Sequence, residues 1–549
     1  VLDGDGEVRL VTLLEKLIVP LLAKLGNLVV DGGIWMNTQR PEWNDANNAL
    51  VGQGLSMVTL YYLRRYVRFL EDLLADEGET FDLSSEIATW LAESASALHR
   101  FRPVIDADGV TAANRLELLR ELGEAAGRYR ATVYRSGTFS GTTTVALSEL
   151  RGLLTDVQAA IDYSIGNNRR EDGLYHAYNL LSLTREGLDI DTLYPMLEGQ
   201  VAALSSGAVN PSVAADVLES LFSSSVYRPD QDSFMLYPDR ELPSFLEKNR
   251  ISEADIDSIP LLRRLLDAGN EQIVLRDADG NYRFSAEFTN IGDLDGELAA
   301  LPDEFSSDAA SGREALRELF EKVFDHQAFT GRSGTMFGFE GLGCIYWHMV
   351  SKLLLAVQEV VMTAADEGND SNALERLGEL YYRVREGLGF NKTPAEYGAF
   401  PTDPYSHTTG HSGARQPGMT GQVKEEILTR FGELGVRVND GAIRFQPGLL
   451  RRREFLGESG VFRCLSIDGA WQEISIPENG LAFSLCQVPV VYRLAEDGDE
   501  SITSLHADGS EAVTAGLSLA ATDSAELFGR SGRIRQLTVT FRPERLFTD

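Results

Sequence analysis

The strongest constraint on this chain is a change of period. From Leu10 to about Arg430 apolar residues recur at three- and four-residue spacing; after about Gly435 they alternate in twos or run β-branched. The two periods place side chains on one face of different elements, so one uniform architecture cannot accommodate both. The first pattern predicts helices over Leu10–Lys24, Leu55–Leu74, Glu86–Phe101, Arg115–Arg128, Thr144–Asp162, Val213–Ser223, Ala254–Leu266, Ala315–Val323, Gly341–Ala364, Ser371–Glu386 and Met419–Leu434. In Leu55–Leu74 the stripe Leu55, Val58, Tyr62, Phe69 and Leu73 is expected to face inward, with Arg64, Arg65, Arg68, Glu71 and Asp72 opposite. Many helices of this length predict helix hairpins in a ring or bundle. The second pattern predicts strands near Val436, Ala442, Gly460, Ala482, Pro489 and Gln536, separated by turns such as Asn439-Asp440-Gly441. The expected organisation is a mainly α part over 1–435, with an insertion at about 200–312, and a small antiparallel β domain over 436–549. Within 270–312, Ile273-Val-Leu-Arg and Tyr282-Arg-Phe-Ser flank Asp277-Ala-Asp-Gly-Asn and read as a hairpin.

Composition excludes several classes of partner. The net charge of −33 over 549 residues repels nucleic-acid phosphates and anionic membrane surfaces. No run of about 18 apolar residues occurs. Cys344, Cys464 and Cys486 form no CxxC and are too few for a disulfide framework, which fits a reducing, cytoplasmic setting. The opening VLDGDGEVRL reads as the start of a fragment or processed product, so a preceding domain of the same protein is expected.

Three polar loops stand out. The first runs from Asp31 to Asn48 and contains Trp43, Asn44, Asp45, Asn47 and Asn48. A carboxyl beside an indole loses hydration, which raises its pKa and suits it to deliver a proton to a leaving oxygen; Asn side chains and an indole suit sugar hydroxyls. The plain alternative is a helix cap at Asn44 or Asp45. The second, Gly331 to His348, is glycine-rich, includes Glu340, and leads into a helix. Free amides there suit an anion, and His348 could donate to a phosphate oxygen or serve as an ordinary helix histidine. No GK[ST] follows, so it is not a nucleotide loop. The third, Pro401 to Gln422, gathers His407, His411 and Arg415 ahead of Thr420-Gly421 at a helix start, an anion or sugar cradle or an ordinary polar loop. His407 and His411 alone lack a third metal ligand, so no metal is expected. Lesser candidates are His176, Tyr178 and Asn179, and the stretch from Tyr227 to Arg240. GxSxG, HExxH, EF-hand and dinucleotide fingerprints are all missing.

Pro41-Glu-Trp-Asn-Asp-Ala-Asn-Asn resembles the Asp-Trp-Asn-Asp-Gly/Cys-x-Asn segment of cellobiose- and chitobiose-phosphorylase-like enzymes of glycoside hydrolase family 94. Gly343-Cys-Ile-Tyr-Trp-His resembles that family's Gly-x-Ile-Tyr/Phe-x-His, and Thr420-Gly421 follows at a similar distance. Glu42 and Ala46 depart from the pattern, the Asp45-to-His348 separation is longer, and the family's upstream phosphate-binding Arg has no counterpart.

The resemblance implies an (α/α)6 toroid followed by a small β domain. It implies inverting phosphorolysis of β-linked glucosides, with Asp45 as general acid and phosphate held by His348, Thr420 and Gly421. From the chemistry of the loops themselves, Trp43, Asn44, Asn48, Glu340, His407, His411 and Arg415 are expected to contact substrate; the loop holding His407, His411 and Arg415 has no firm counterpart in the family. No cofactor is implied; inorganic phosphate is the co-substrate, and a homodimer is compatible. The alternatives are an inverting hydrolase, which needs a second carboxylate about 6.5–9.5 Å from Asp45, a transglycosylase, or a non-catalytic carbohydrate-binding protein.

Overall fold

A computed structural model describes residues 6–37, 50–75, 78–238, 243–326, 329–330, 336–337, 347–368, 371–388 and 423–548. The chain divides into two compact units, Val1–Gly199 with Met235–Cys344, and Gln200–Phe234 with Ile345–Asp549.

The first unit combines helices with a small sheet. The helix Ser85–Asp106 packs against Ala112–Ser136 and Leu147–Asn167, and Met57–Leu73 packs on the last of these. Buried Glu15 joins the helix Leu13–Leu25 to this group, accepting from the Ser84 amide at 2.7 Å and its hydroxyl at 2.9 Å. Met57–Leu73 starts where the Ser56 hydroxyl accepts from the Thr59 amide at 3.0 Å, satisfying one free N–H of the first turn. Its buried face is Leu60, Tyr61, Leu63, Val67 and Leu70, whereas Tyr62, Phe69 and Leu73 are exposed. Of the expected stripe, Leu55 and Val58 are buried and the other three are not: the helix carries apolar residues on both sides, and period alone does not say which side packs. Between the helices lies a five-stranded antiparallel sheet in the order Leu28–Val29, Gly33–Trp35, Gly54–Ser56, Tyr178–Leu183, Leu188–Thr192.

The segment from Phe245 to Phe324 has its own core. Short helices Glu253–Ser258 and Pro260–Asp267, the hairpin Val274–Arg276/Tyr282–Phe284 and the helices Ile291–Ala300 and Ser306–Phe324 bury Leu262, Leu265, Phe284, Leu294, Leu316 and Phe320 together. The helix expected over Ala254–Leu266 is two helices. Pro260 pushes Ile259 out of the helical region, to φ −118° and ψ 99°, and the chain turns there. Buried Asn249 pairs both backbone groups of Phe284, its amide donating to the carbonyl and its oxygen accepting from the N–H, each at 2.9 Å.

In the second unit the helix Trp347–Asp366 packs against Ser371–Glu386 and Val423–Glu433, and Pro211–Phe222 packs against the first two. By length and composition its stretch His348–Asp366 could cross a membrane, with mean hydropathy 1.2. Buried Val350, Leu353, Leu354, Val357 and Val361 make it the core helix of this unit. The carboxy-terminal strands form a mixed sheet rather than the expected antiparallel one. Its order is Gly480–Leu485, Val488–Leu494, Ile534–Phe541, Ser501–His506, Glu511–Ala515, and Val488–Leu494 runs parallel to Ile534–Phe541. Parallel neighbours need a long crossover, and residues 495–533 supply one that holds a hairpin and the helix Ala521–Phe528. The described residues show a mixed α/β fold with a carboxy-terminal mixed sheet, which is coarser than the expected (α/α)6 toroid.

Candidate functional site

The polar centre of the second unit lies where Trp347–Asp366, Ser371–Glu386 and Val423–Glu433 meet. The last helix is built inside out. Glu425, Thr429 and Glu433 are buried at i, i+4 and i+8, while Ile427 and Leu428 are each 52% exposed. Gly432 permits the close approach: a Cβ there would stand 2.1 Å from the Gln358 amide oxygen. Gln358 donates to the Thr429 carbonyl at 2.7 Å, and the Tyr381 hydroxyl donates to Glu433 at 2.6 Å. Arg385 and Arg430 each reach Glu433 at 2.9 Å, and Arg430 also reaches Glu454 at 2.7 Å. The inner end of the helix is thus a fully paired anion. Burial, followed by the neighbouring Glu433 charge, pushes the Tyr381 hydroxyl well above its ordinary pKa, so it stays a donor.

The other end of the same stripe is chemically different. Glu425 is 4% exposed, and its Oε1 lies 3.4 Å from His348 Nε2 and 3.8 Å from Lys424 Nζ. Among the described residues its buried Oε2 has no hydrogen-bond partner. His348, at the start of Trp347–Asp366, keeps 18% of its side chain exposed. Burial and then the Lys352 charge lower its pKa from 6.5, the Glu425 carboxylate pulls it back up, and Lys424 opposes that. The net direction is down, so the imidazole is neutral at pH 7. The result is a half-open histidine with a buried carboxylate behind it and two lysines nearby, an arrangement able to hold an anion.

Of the residues expected to carry chemistry, only His348 lies among the described ones. Trp43, Asn44, Asp45, Asn48, Glu340, His407, His411, Arg415, Thr420 and Gly421 lie outside them. The start of the first loop is described. Asp31 adopts φ 68°, pairs with Arg115 at 3.0 Å and accepts from Asn167 at 2.8 Å. Gly33 adopts φ 123°, and a Cβ there would meet the Ser56 carbonyl carbon at 2.7 Å, so only glycine fits. Three of the lesser candidates have packing or hydrogen-bonding roles within the first and second units. Asn179 is fully buried and donates to the Gly32 carbonyl and to Asn168 at 2.9 and 2.8 Å. Burial, followed by the Arg170 charge, lowers the His176 pKa to about 4. Tyr227 donates to Asp232 at 2.6 Å and packs on Phe222 and Phe234. Among the described residues, no three His, Cys, Asp or Glu are arranged to hold a metal. A groove of about 550 Å³ in the first unit is lined by Glu117, Arg120, Glu121, Arg185 and Glu186, with no aromatic ring to stack a sugar.

Sequence reasoning missed Glu425, Thr429 and Glu433. Their four-residue spacing was the available signal, but Ile427, Leu428 and Phe431 form a competing stripe on the same helix.

Residues 242–327 match the family model described as GH149 phosphorylase insertion domain 2. The matched segment contains the hairpin and the helices that share the Phe284–Phe320 core. No curated protein matches the chain significantly. In this segment the chain is similar to an inserted domain of glycoside phosphorylases, and the match does not point specifically to family 94.

Proposed function

We propose that this chain carries the catalytic part of an inverting glycoside phosphorylase acting on β-linked glucosides. The observation that carries the reading is the match of 242–327 to an inserted domain of phosphorylases. The half-open His348, backed by Glu425 and flanked by Lys352 and Lys424, supports it as one wall of a phosphate site. In this reading residues 1–435 form an (α/α)6 barrel with its insertion, and 436–549 a β domain. Asp45 gives its proton to the glycosidic oxygen while a phosphate oxygen, held by His348, Thr420 and Gly421, attacks the anomeric carbon from the opposite face. The carbon–oxygen bond to the leaving sugar breaks, and the products are an inverted sugar 1-phosphate and the shortened saccharide. The Asp45 carboxylate then recovers a proton from solvent. Phosphate is itself the nucleophile, so no second carboxylate is required. Trp43, Asn44, Asn48, Glu340, His407, His411 and Arg415 line the saccharide path.

The test incubates the chain with β-glucosidic disaccharides and short β-glucans, with and without inorganic phosphate. Phosphate-dependent formation of a sugar 1-phosphate is expected, and Asp45→Asn should lower turnover at least about 10²-fold, the lower end of what a general acid contributes. Glucose release without phosphate would make the enzyme a hydrolase. Full turnover by Asp45→Asn would remove that residue from the mechanism.

A further inference from the structure

The inverted helix Val423–Glu433 sets a puzzle that packing does not answer. It sinks Glu425 to 4% exposure while leaving Ile427 and Leu428 outside. At the Glu433 end, two arginines and a tyrosine hydroxyl answer the buried charge. At the Glu425 end, among the described residues, the contacts are His348 at 3.4 Å, longer than a good hydrogen bond, and Lys424 at 3.8 Å, and Oε2 has no hydrogen-bond partner. A buried carboxylate left this incompletely satisfied is costly. It gains most when a full positive charge forms beside it.

We infer that Glu425 is the positioning residue of the phosphate site, holding the His348 ring through Nε2 and stabilising the imidazolium that forms when phosphate binds. The inference rests on the reading of His348 as a phosphate ligand. Glu425 can only accept, so a neutral imidazole beside it is held as the Nε2–H tautomer. The other ring nitrogen, Nδ1, then carries the lone pair. An incoming dihydrogen phosphate gives one proton to Nδ1 and is bound as the dianion; when phosphate arrives as the dianion, Nδ1 takes its proton from solvent. Either way the bound state is anion–imidazolium–anion, with charge-assisted hydrogen bonds on both sides of the ring. The charged groups facing His348 are Lys352 on its own helix and Lys424 and Glu425 on the neighbouring one. Burial, then the lysines, keep the histidine neutral before phosphate arrives, and the lysines attract the phosphate; Glu425 makes the proton uptake possible. Phosphate affinity should therefore fall as pH rises above neutrality, by up to about tenfold per unit for one proton taken up.

The experiment is calorimetric titration of the full chain with inorganic phosphate, in two buffers of different ionisation enthalpy, between pH 6 and 8. Wild type should bind phosphate with a net proton uptake that follows the dianion fraction, small at pH 6 and approaching one proton at pH 8. Glu425→Gln keeps the shape and an accepting oxygen but removes the charge. It should weaken phosphate binding on the order of tenfold, the effect of one pKa unit in His348, cut the proton uptake, and leave the melting temperature unchanged or raised. Glu425→Asp should restore part of the uptake. His348→Asn controls for the reading beneath: loss of binding there, with unaltered affinity and proton count in Glu425→Gln, overturns the role of Glu425 alone. Unaltered binding in His348→Asn, or none in wild type, overturns the phosphate site and this inference together. A lowered melting temperature with wild-type affinity and proton uptake would make Glu425 merely structural and also overturn it.

Discussion

The helix Pro260–Asp267 of the inserted domain buries Leu261, Leu262 and Leu265 and turns Arg264 and Asp267 to solvent, whereas Val423–Glu433 buries Glu425, Thr429 and Glu433 and turns Ile427 and Leu428 to solvent. Fully burying a leucine side chain contributes about 1.5–3 kcal/mol, while a buried carboxylate opposes folding until partners answer it. The first helix is therefore held by what it packs against. The second is held by what it pairs with, and it depends on the Gln358, Tyr381, Arg385 and Arg430 side chains. A module that only needs to persist can be built the first way. A polar stripe turned inward marks where the chain keeps charge at the expense of packing, and the phosphorylase match falls on the other, apolar module.

The largest effect expected of that contrast is in the insert. Phe320 is 1% exposed and its ring meets Phe324, Phe284 and His326 at 4.7, 5.2 and 5.5 Å. Phe320→Ala should cost about 3–5 kcal/mol, the range for an aromatic lost from a core. Hydrogen exchange should show lost protection over Val274–Arg276, Tyr282–Phe284 and Ser306–Phe324, with Val423–Glu433 unaffected. Equal loss in both regions would show that they unfold as one and break the comparison.

The next effect is nearly as large and comes from a polar residue. Glu433→Ala leaves the Tyr381 hydroxyl and the Arg385 guanidinium without their anion in a buried place. A loss of about 3 kcal/mol is expected, as when one partner of a buried pair is removed, and thermal denaturation measures it. A change below about 1 kcal/mol would mean that solvent reaches the network.

These regions were legible in the sequence to different degrees. Period located the elements: Ser371–Glu386 was expected to the residue, and so was the Asp277–Asn281 turn between Val274–Arg276 and Tyr282–Phe284. Strands of two or three residues, such as Leu28–Val29 and Gly54–Ser56, are too short to show a period of two and went unseen. The break at Pro260 was written in the residue before a proline and overridden by the stronger apolar rhythm around it. Period also leaves open which face of a two-sided helix turns inward. It misplaced Tyr62, Phe69 and Leu73, and it could not show that Glu425 rather than Ile427 is buried. His348 was visible through its motif; Glu425 was not, because the two meet across 77 residues of chain and no local pattern links them.

The smallest predicted effect is the sharpest probe of the inverted helix. Leu428 has the composition of a core residue and, at 52% exposure, the position of a surface one. If that exposure holds in solution, Leu428→Ser removes little packing and should change stability by no more than about 0.5 kcal/mol, the usual scale for surface substitutions. If the helix instead rotates to bury Ile427 and Leu428, the same substitution places a hydroxyl in an apolar setting and should cost about 2 kcal/mol or more. Such a rotation would also carry Glu425 away from His348. Urea unfolding of Leu428→Ser therefore separates a helix that holds its polar stripe inward from one that packs in the ordinary way, independently of any substrate.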